Sequence, residues 1–297
     1  MTDEPCADVS RRHNEPLWGT ASRVRSWLLV EEPGAWGRDA VIDSDIDPSV
    51  ARRLKVMAAQ DRVRLLLIRR PRGGVRRERE CFALHTGLQE QWAQRIVVED
   101  LVQLLDLDFG ALREGARPAS GDAWDEPLYL VCTNGAHDPC CERYGRPVAV
   151  ELGVLRPSST WESSHLGGDR FAANLVCLPH GLYFGRVGAE DAPELAELYE
   201  EGLIHLDHFR GRSCLEPVVQ AADVMLRRLH GFAGIDDLVP EARRDHGGGR
   251  STLTFRDRFG VRHEIGVAVG RGEKRPLTCA AKNPGAVREY ALASKVM

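Results

Sequence analysis

Residues 128–141 read Leu-Tyr-Leu-Val-Cys-Thr-Asn-Gly-Ala-His-Asp-Pro-Cys-Cys, and the two parts of this stretch obey different rules. Leu128 to Thr133 begins with an unbroken apolar run, the pattern of a strand buried on both faces. Asn134 to Pro139 is turn-forming, so the strand runs into an irregular loop that carries thiols at Cys132, Cys140 and Cys141. Residues 141–152 then have helical character, and Pro147 points to a helix start at that position. Phe171–Leu178 and Leu182–Val187 flank Pro179-His180-Gly181, a hairpin signal that leaves His180 exposed at a tip. Amphipathic helices are expected over 192–201 and 214–230.

Reading outward, the first half repeats this order. Arg23–Glu31 is expected as a strand, followed by a loop broken by Pro33, Gly34 and Gly37. Residues 48–60 form a helix opened by Pro48. Strands at Arg62–Arg70 and Glu80–Thr86 make a hairpin around the turn at 71–74, and a short helix follows over 97–105. Leu29-Val30 leads to Gly34-Ala35 and Asp39, as Leu130-Val131 leads to Gly135-Ala136 and Asp138. This weak repeat is either an internal duplication or chance similarity. The expected fold class is α/β, built of strand-loop-helix-hairpin units that are each half of a thioredoxin-like sandwich. Three regions are expected: 16–112 without ligands, 127–235 with the chemistry, and a β-rich extension over 247–297. The polar stretch 113–127 is the candidate linker, and Gly247-Gly248-Gly249 sets off the tail. There, TLTFRDRFG, VRHEIGVAVG and PLTCAAK read as hairpin strands.

The 297 residues are 43% hydrophobic and 28% charged, a globular balance far from that of disordered chains. Lys and Arg number 40 against 44 Asp and Glu, for a formal charge of -4, which supplies no general attraction for nucleic acid. No run approaches the ~20 apolar residues of a membrane span. The start, MTDEPCADVSRRHNEP, lacks the apolar core of a secretory signal. A cytoplasmic location is expected. The eight cysteines are then reduced thiols or metal ligands rather than a disulfide framework.

The clustered thiols carry the chemistry. Eight residues separate Cys132 from Cys141, and His165-Leu166-Gly167-Gly168-Asp169 follows further on. Two thiolates from one loop, with a nitrogen and an oxygen from another, are a four-coordinate donor set. The spacing fits zinc, a 2Fe-2S cluster or neither. Cys177, in a strand of apolar character, is either a further ligand or a small buried hydrophobe. Asp169 is either a ligand or a loop carboxylate paired with Arg170. His137 reads as a hydrogen-bond donor to a metal ligand or as an exposed loop histidine, and His205 and His208 lack accompanying ligands. The vicinal pair Cys140 and Cys141 lies outside any Cys-x-x-Cys motif. No G-x-S-x-G elbow, P-loop or defensible pair of glycosidase carboxylates is present.

CTNGAHDPCC, SSHLGGDRFAAN and LPHGLYFGRV resemble the sucrase/ferredoxin-like family, which is related to thioredoxin-like 2Fe-2S ferredoxins. PLWGTASRVRSWLLVEEPGAWGRDA is also similar, and the resemblance spans roughly residues 16–235. The family pattern is Cys, eight residues, Cys, then His-x-Gly-Gly-His. The resemblance implies a 2Fe-2S cluster with Cys132 and Cys141 on one iron and His165 on the other. Asp169 stands where the pattern has its second histidine. The implied function is one-electron transfer between redox partner proteins, with no nucleic acid or membrane involved, the oligomeric state open, and a carrier favoured over a catalyst. Two other functions compete: a thiol-based redox protein using Cys140 and Cys141, and a zinc-stabilised binding module.

Overall fold

The computed structural model describes residues 4–73 and 77–294, so Gly74 of the expected turn lies outside it. After α1 (Cys6–Arg12), the first half comprises β1 (Ser26–Glu31), α2 (Pro48–Gln60), β2 (Val63–Arg69), β3 (Arg79–Thr86) and β4 (Gln91–Val98). α3 (Phe109–Arg113) and β5 (Asp122–Trp124) lead to the second half. That half comprises β6 (Leu128–Cys132), α4 (Pro139–Leu155), β7 (Thr160–Ser163), β8 (Leu175–Leu178), β9 (Leu182–Phe184), α5 (Ala192–Glu200), β10 (Phe209–Arg212) and α6 (Pro217–His230). A separate antiparallel sheet follows, made of β11 (Leu238–Gly247), β12 (Arg250–Asp257), β13 (Arg262–Arg275) and β14 (Gly285–Ser294). The expected α/β class with a β-rich tail is what the chain adopts.

Both halves are wired alike. β1 pairs in parallel with β2 across the α2 crossover and antiparallel with β3 on its other edge. β6 likewise pairs in parallel with β7 across α4 and antiparallel with β8. The halves join where β2 meets β7 antiparallel, with Ile68 opposite Ser163 and Arg69 opposite Glu162. One ten-stranded sheet results, in the order β10-β9-β8-β6-β7-β2-β1-β3-β4-β5.

Side-chain alternation divides the core. From β1 and β6, Trp27, Leu29, Leu128, Leu130 and Cys132 enter one cluster shared by both halves. Leu28 and Val30 instead face the α2 side, and Tyr129 and Val131 the α4 side. The curled sheet thus wraps a common interior, and Cys132 belongs to it.

Several local expectations are corrected. β2 and β3 are not a hairpin, because β1 lies between them, and β3 pairs with β4 instead. Residues 97 and 98 end β4, and only a 3-10 turn over Leu101–Asp106 stands where a helix is expected. α4 begins at Pro139 and accommodates Pro147 inside it. Gly247 to Gly249 form the β11–β12 turn rather than a spacer, and the expected linker contributes β5 to the sheet edge. PLTC is loop, not strand. Among the described residues, no helix is long and apolar enough to cross a membrane.

Candidate metal centre

Cys132 ends β6 on its inward-facing side. Asp138 then caps α4, its Oδ1 accepting the Cys140 N–H at 2.9 Å, while Pro139 occupies the first turn. Cys140 and Cys141 therefore sit in the opening turn of the helix. One turn on, a Cβ at Gly145 would collide with the Cys132 carbonyl. Only glycine lets α4 press this closely on the end of β6, and that approach brings Cys141 to Cys132.

The opposite wall is the loop after β7. Gly168 has φ +85°, and a Cβ there would run into the Arg210 guanidinium. This conformation and this close contact both call for glycine. Arg210, fully buried, donates to the Gly167 carbonyl at 3.0 Å and to Asn174 Oδ1 at 2.6 Å. Asn174 in turn donates to the Gly168 carbonyl at 2.9 Å. Arg64 donates to the His165 carbonyl at 2.7 Å. The loop is thus held by three side chains, two of them, Arg64 and Arg210, from segments distant in sequence.

The donors converge. A sulphur from each of Cys132 and Cys141 and a ring nitrogen of His165 lie within 4.8 Å of one another. Asp169 Oδ1 lies 3.0 Å from His165 Nδ1 and 3.5 Å from Cys141 Sγ. His165 Nδ1 is buried and has the Asp169 carboxylate as its close polar neighbour, although the two are not aligned as a good hydrogen bond. The Cys141 thiol donates to Cys132 and holds its pKa down to about 5, with His165 adding to the effect against burial. The same hydrogen bond, together with burial, pushes Cys141 up. Burial lowers the pKa of His165, but Asp169 and Cys132 outweigh it and bring the imidazole to about 9. Burial opposes the Asp169 charge, yet His165 and His137 keep its carboxyl below the usual range. One thiolate, one carboxylate and one imidazolium share the pocket, a charge set that a cation would reorganise by displacing protons.

Of the other candidates, only His137 joins the site. Cys177 lies opposite Tyr129 in the β6–β8 register, on the outer face with the α4-side core. Cys140 turns away from Cys141 towards Cys6 and Cys279. Arg170 pairs with Glu15 at 2.7 Å, not with Asp169. His137 is not a free loop residue: it stacks on His165, and its Nε2 lies 4.0 Å from Asp169 Oδ2. His180 is half-buried, with Nδ1 2.7 Å from the Tyr199 hydroxyl. His208 contacts Asp191 and the Gly185 carbonyl. His137 and His165 line one wall of an open cleft of about 670 Å³, whose other walls include Arg38, Lys55 and Arg64.

A model described as Sucrase/ferredoxin-like matches residues 17–211, well over half of the chain. The chain belongs to the sucrase/ferredoxin-like family. No curated protein and no solved structure matches it. Within this family member, the matched span runs from the approach to β1 through Arg210 in β10, and so takes in both donor walls and the arginine that braces one of them. Arg210 is the residue that sequence reasoning misses. Its only signal there is an arginine within a short run, HFRGR, that carries no periodicity.

Proposed function

We propose that this protein is a one-electron carrier holding a 2Fe-2S cluster through Cys132, Cys141, His165 and Asp169. The observation that carries the reading is the arrangement of the donors as two facing pairs. Two sulphurs come from the β6–α4 corner, and a nitrogen and an oxygen come from the glycine loop. Bound there, the cluster supplies one-electron chemistry near the surface. The protein's own residues set the conditions. The shared apolar interior excludes water behind Cys132 and Cys141. The His165 side chain is 24% exposed and turns its edge to the cleft, which suits contact with a redox partner protein. Arg210, whose burial lowers its pKa to about 10, keeps a positive charge beside the anionic donors. The first half, lacking thiols in its equivalent loop, acts as scaffold. All eight cysteines are free thiols, which suits a reducing cytoplasm.

Anaerobically purified protein should contain iron and acid-labile sulfide in equal amounts and should be brown, bleaching with dithionite. Iron-free, colourless protein would reject the reading.

One observation favours a second reading. Donor atoms of Cys132, Cys141 and His165 lie within 4.8 Å of one another, so these three side chains also suit a single ion that takes its fourth ligand from solvent. A colourless protein that binds stoichiometric zinc and loses it in Cys132→Ala would establish that alternative.

A further inference from the structure

Behind Cys141, three thiols from segments remote in sequence meet at one point. Cys6 begins α1, Cys140 lies in the first turn of α4, and Cys279 sits in the loop between β13 and β14. Their sulphurs form a nearly regular triangle: Cys6 to Cys140 is 3.7 Å, Cys140 to Cys279 is 3.4 Å, and Cys279 to Cys6 is 3.6 Å. Ligands of a tetrahedral zinc–thiolate site, with Zn–S near 2.3 Å, have sulphurs about 3.8 Å apart. A disulfide joins only two sulphurs, at about 2.05 Å, and would leave the third outside. The triangle matches the first geometry and not the second.

Asp138 builds the site. Its Oδ2 accepts hydrogen bonds from the Cys279 N–H at 2.7 Å and the Thr278 hydroxyl at 2.8 Å, and lies 3.9 Å from Cys6 Sγ. Its Oδ1 caps α4 through the Cys140 N–H. One carboxylate thus fixes two of the three cysteine backbones and stands within ligand reach of all three sulphurs. Cys6 and Cys140 are buried, while Cys279 is exposed, so an ion has a way in from that side.

We propose that Cys6, Cys140 and Cys279 form a second metal site for a thiophilic divalent cation of the zinc class, with Asp138 as the remaining donor. On binding, each thiol gives its proton to solvent as its sulphur bonds to the ion, and no electron is transferred. The ion ties α1 and the β13–β14 loop to the first turn of α4. Its role is structural, and it stands independently of the cluster proposed at Cys132.

The test uses the reduced, metal-stripped full chain titrated anaerobically with cobalt(II) alone, followed by thiolate-to-cobalt absorption. Cys279→Ala, at an exposed position, should take up one equivalent fewer than wild type, while Cys132→Ala should retain the equivalent that Cys279→Ala loses. In wild type, added zinc(II) should slow alkylation of Cys279 by iodoacetamide at least tenfold. Equal cobalt uptake and spectra in wild type and Cys279→Ala would overturn the site. So would alkylation of Cys279 at the same rate with and without zinc, or a disulfide among the three cysteines in freshly purified protein.

Discussion

The rings of His137 and His165 lie face to face, centroids 3.7 Å apart and planes inclined by 18°. His137 reaches this position from the loop between β6 and α4, its Nδ1 lying 3.3 Å from the Arg38 carbonyl. That contact brings the loop of the first half against the loop of the second. His137, His165 and Asp169 each bring a donor atom within 4.8 Å of the other two, so the edge of the stack, unlike the space between the rings, is open to a shared ion. The proposed ligand set of Cys132, Cys141, His165 and Asp169 leaves His137 as a cover over the His165 ring. His137→Ala should keep the iron and sulfide content of wild type while raising the rate at which oxygen or chelator bleaches the cluster severalfold. Loss of iron on purification would make His137 a ligand.

The ligand assignment for the sulphurs separates cleanly from packing. Cys132→Ser or Cys141→Ser should abolish the visible spectrum. Cys177→Ala, on the outer face beside Tyr129, should leave it intact and cost on the order of 1 kcal/mol in stability from lost packing. Cys81→Ser and Cys214→Ser should likewise keep their iron. Iron analysis beside urea titration gives both readouts, and full iron in Cys132→Ser would sink the assignment.

Asp169 contributes a negative charge where a neutral imidazole would contribute none. Asp169→His should raise the midpoint potential, because removing anionic charge favours the more negative, reduced cluster. Asp169→Ala should lose cluster or admit water in place of the carboxylate. Potentiometry under visible absorption reads both, and an unchanged spectrum and potential in Asp169→Ala would remove Asp169 from the ligand set.

Arg210 is tested by charge and by fold together. Arg210→Gln removes a buried cation beside the donors, so the potential should fall. It also strips partners from the Gly167 carbonyl, Asn174 and Thr20, at a cost of about 3 kcal/mol or more. Arg210→Lys should recover potential more than stability, because an ammonium keeps the charge but not the fork of donors. A potential equal to wild type in Arg210→Gln would reduce the residue to a structural brace.

Burial, with Arg212 adding to it, holds the His180 imidazole below its ordinary range beside Tyr199. The unfolded chain takes up this proton first as pH falls below about 6.5, so folding stability must drop there until the folded histidine also titrates. Burial lowers His85 in the same direction. The urea midpoint should therefore fall between about pH 7.5 and about pH 5.5, and His180→Gln should flatten part of that slope. An identical slope in wild type and His180→Gln would assign the effect elsewhere.

What the sequence reveals divides along range. The run from Leu128 to Cys132 and the turn residues after it announce a buried strand and its loop, because both signals lie within a few neighbours. Pro147 misleads because proline is usually a first-turn residue, while the stronger start signal, Asp138-Pro139, lies eight residues earlier. β7 and β10 are four residues each and too short for periodicity to register. Whether Cys177 faces the site depends on pairing with Tyr129, a register that no local pattern encodes. Arg210 and His137 act through contacts with remote segments, so only the folded chain displays them.

Cys140 and Cys141 are neighbours in sequence but point into different pockets, Cys141 towards Asp169 and Cys140 towards Cys279. Reagents that bridge paired thiols, such as trivalent arsenicals, select by proximity in space. In the metal-free chain such a bridge would close not across the Cys-Cys dipeptide but between Cys140 and Cys279, residues 139 positions apart. Digestion would then yield a crosslinked pair of distant peptides, a chemical record of how the first turn of α4 parts two adjacent side chains.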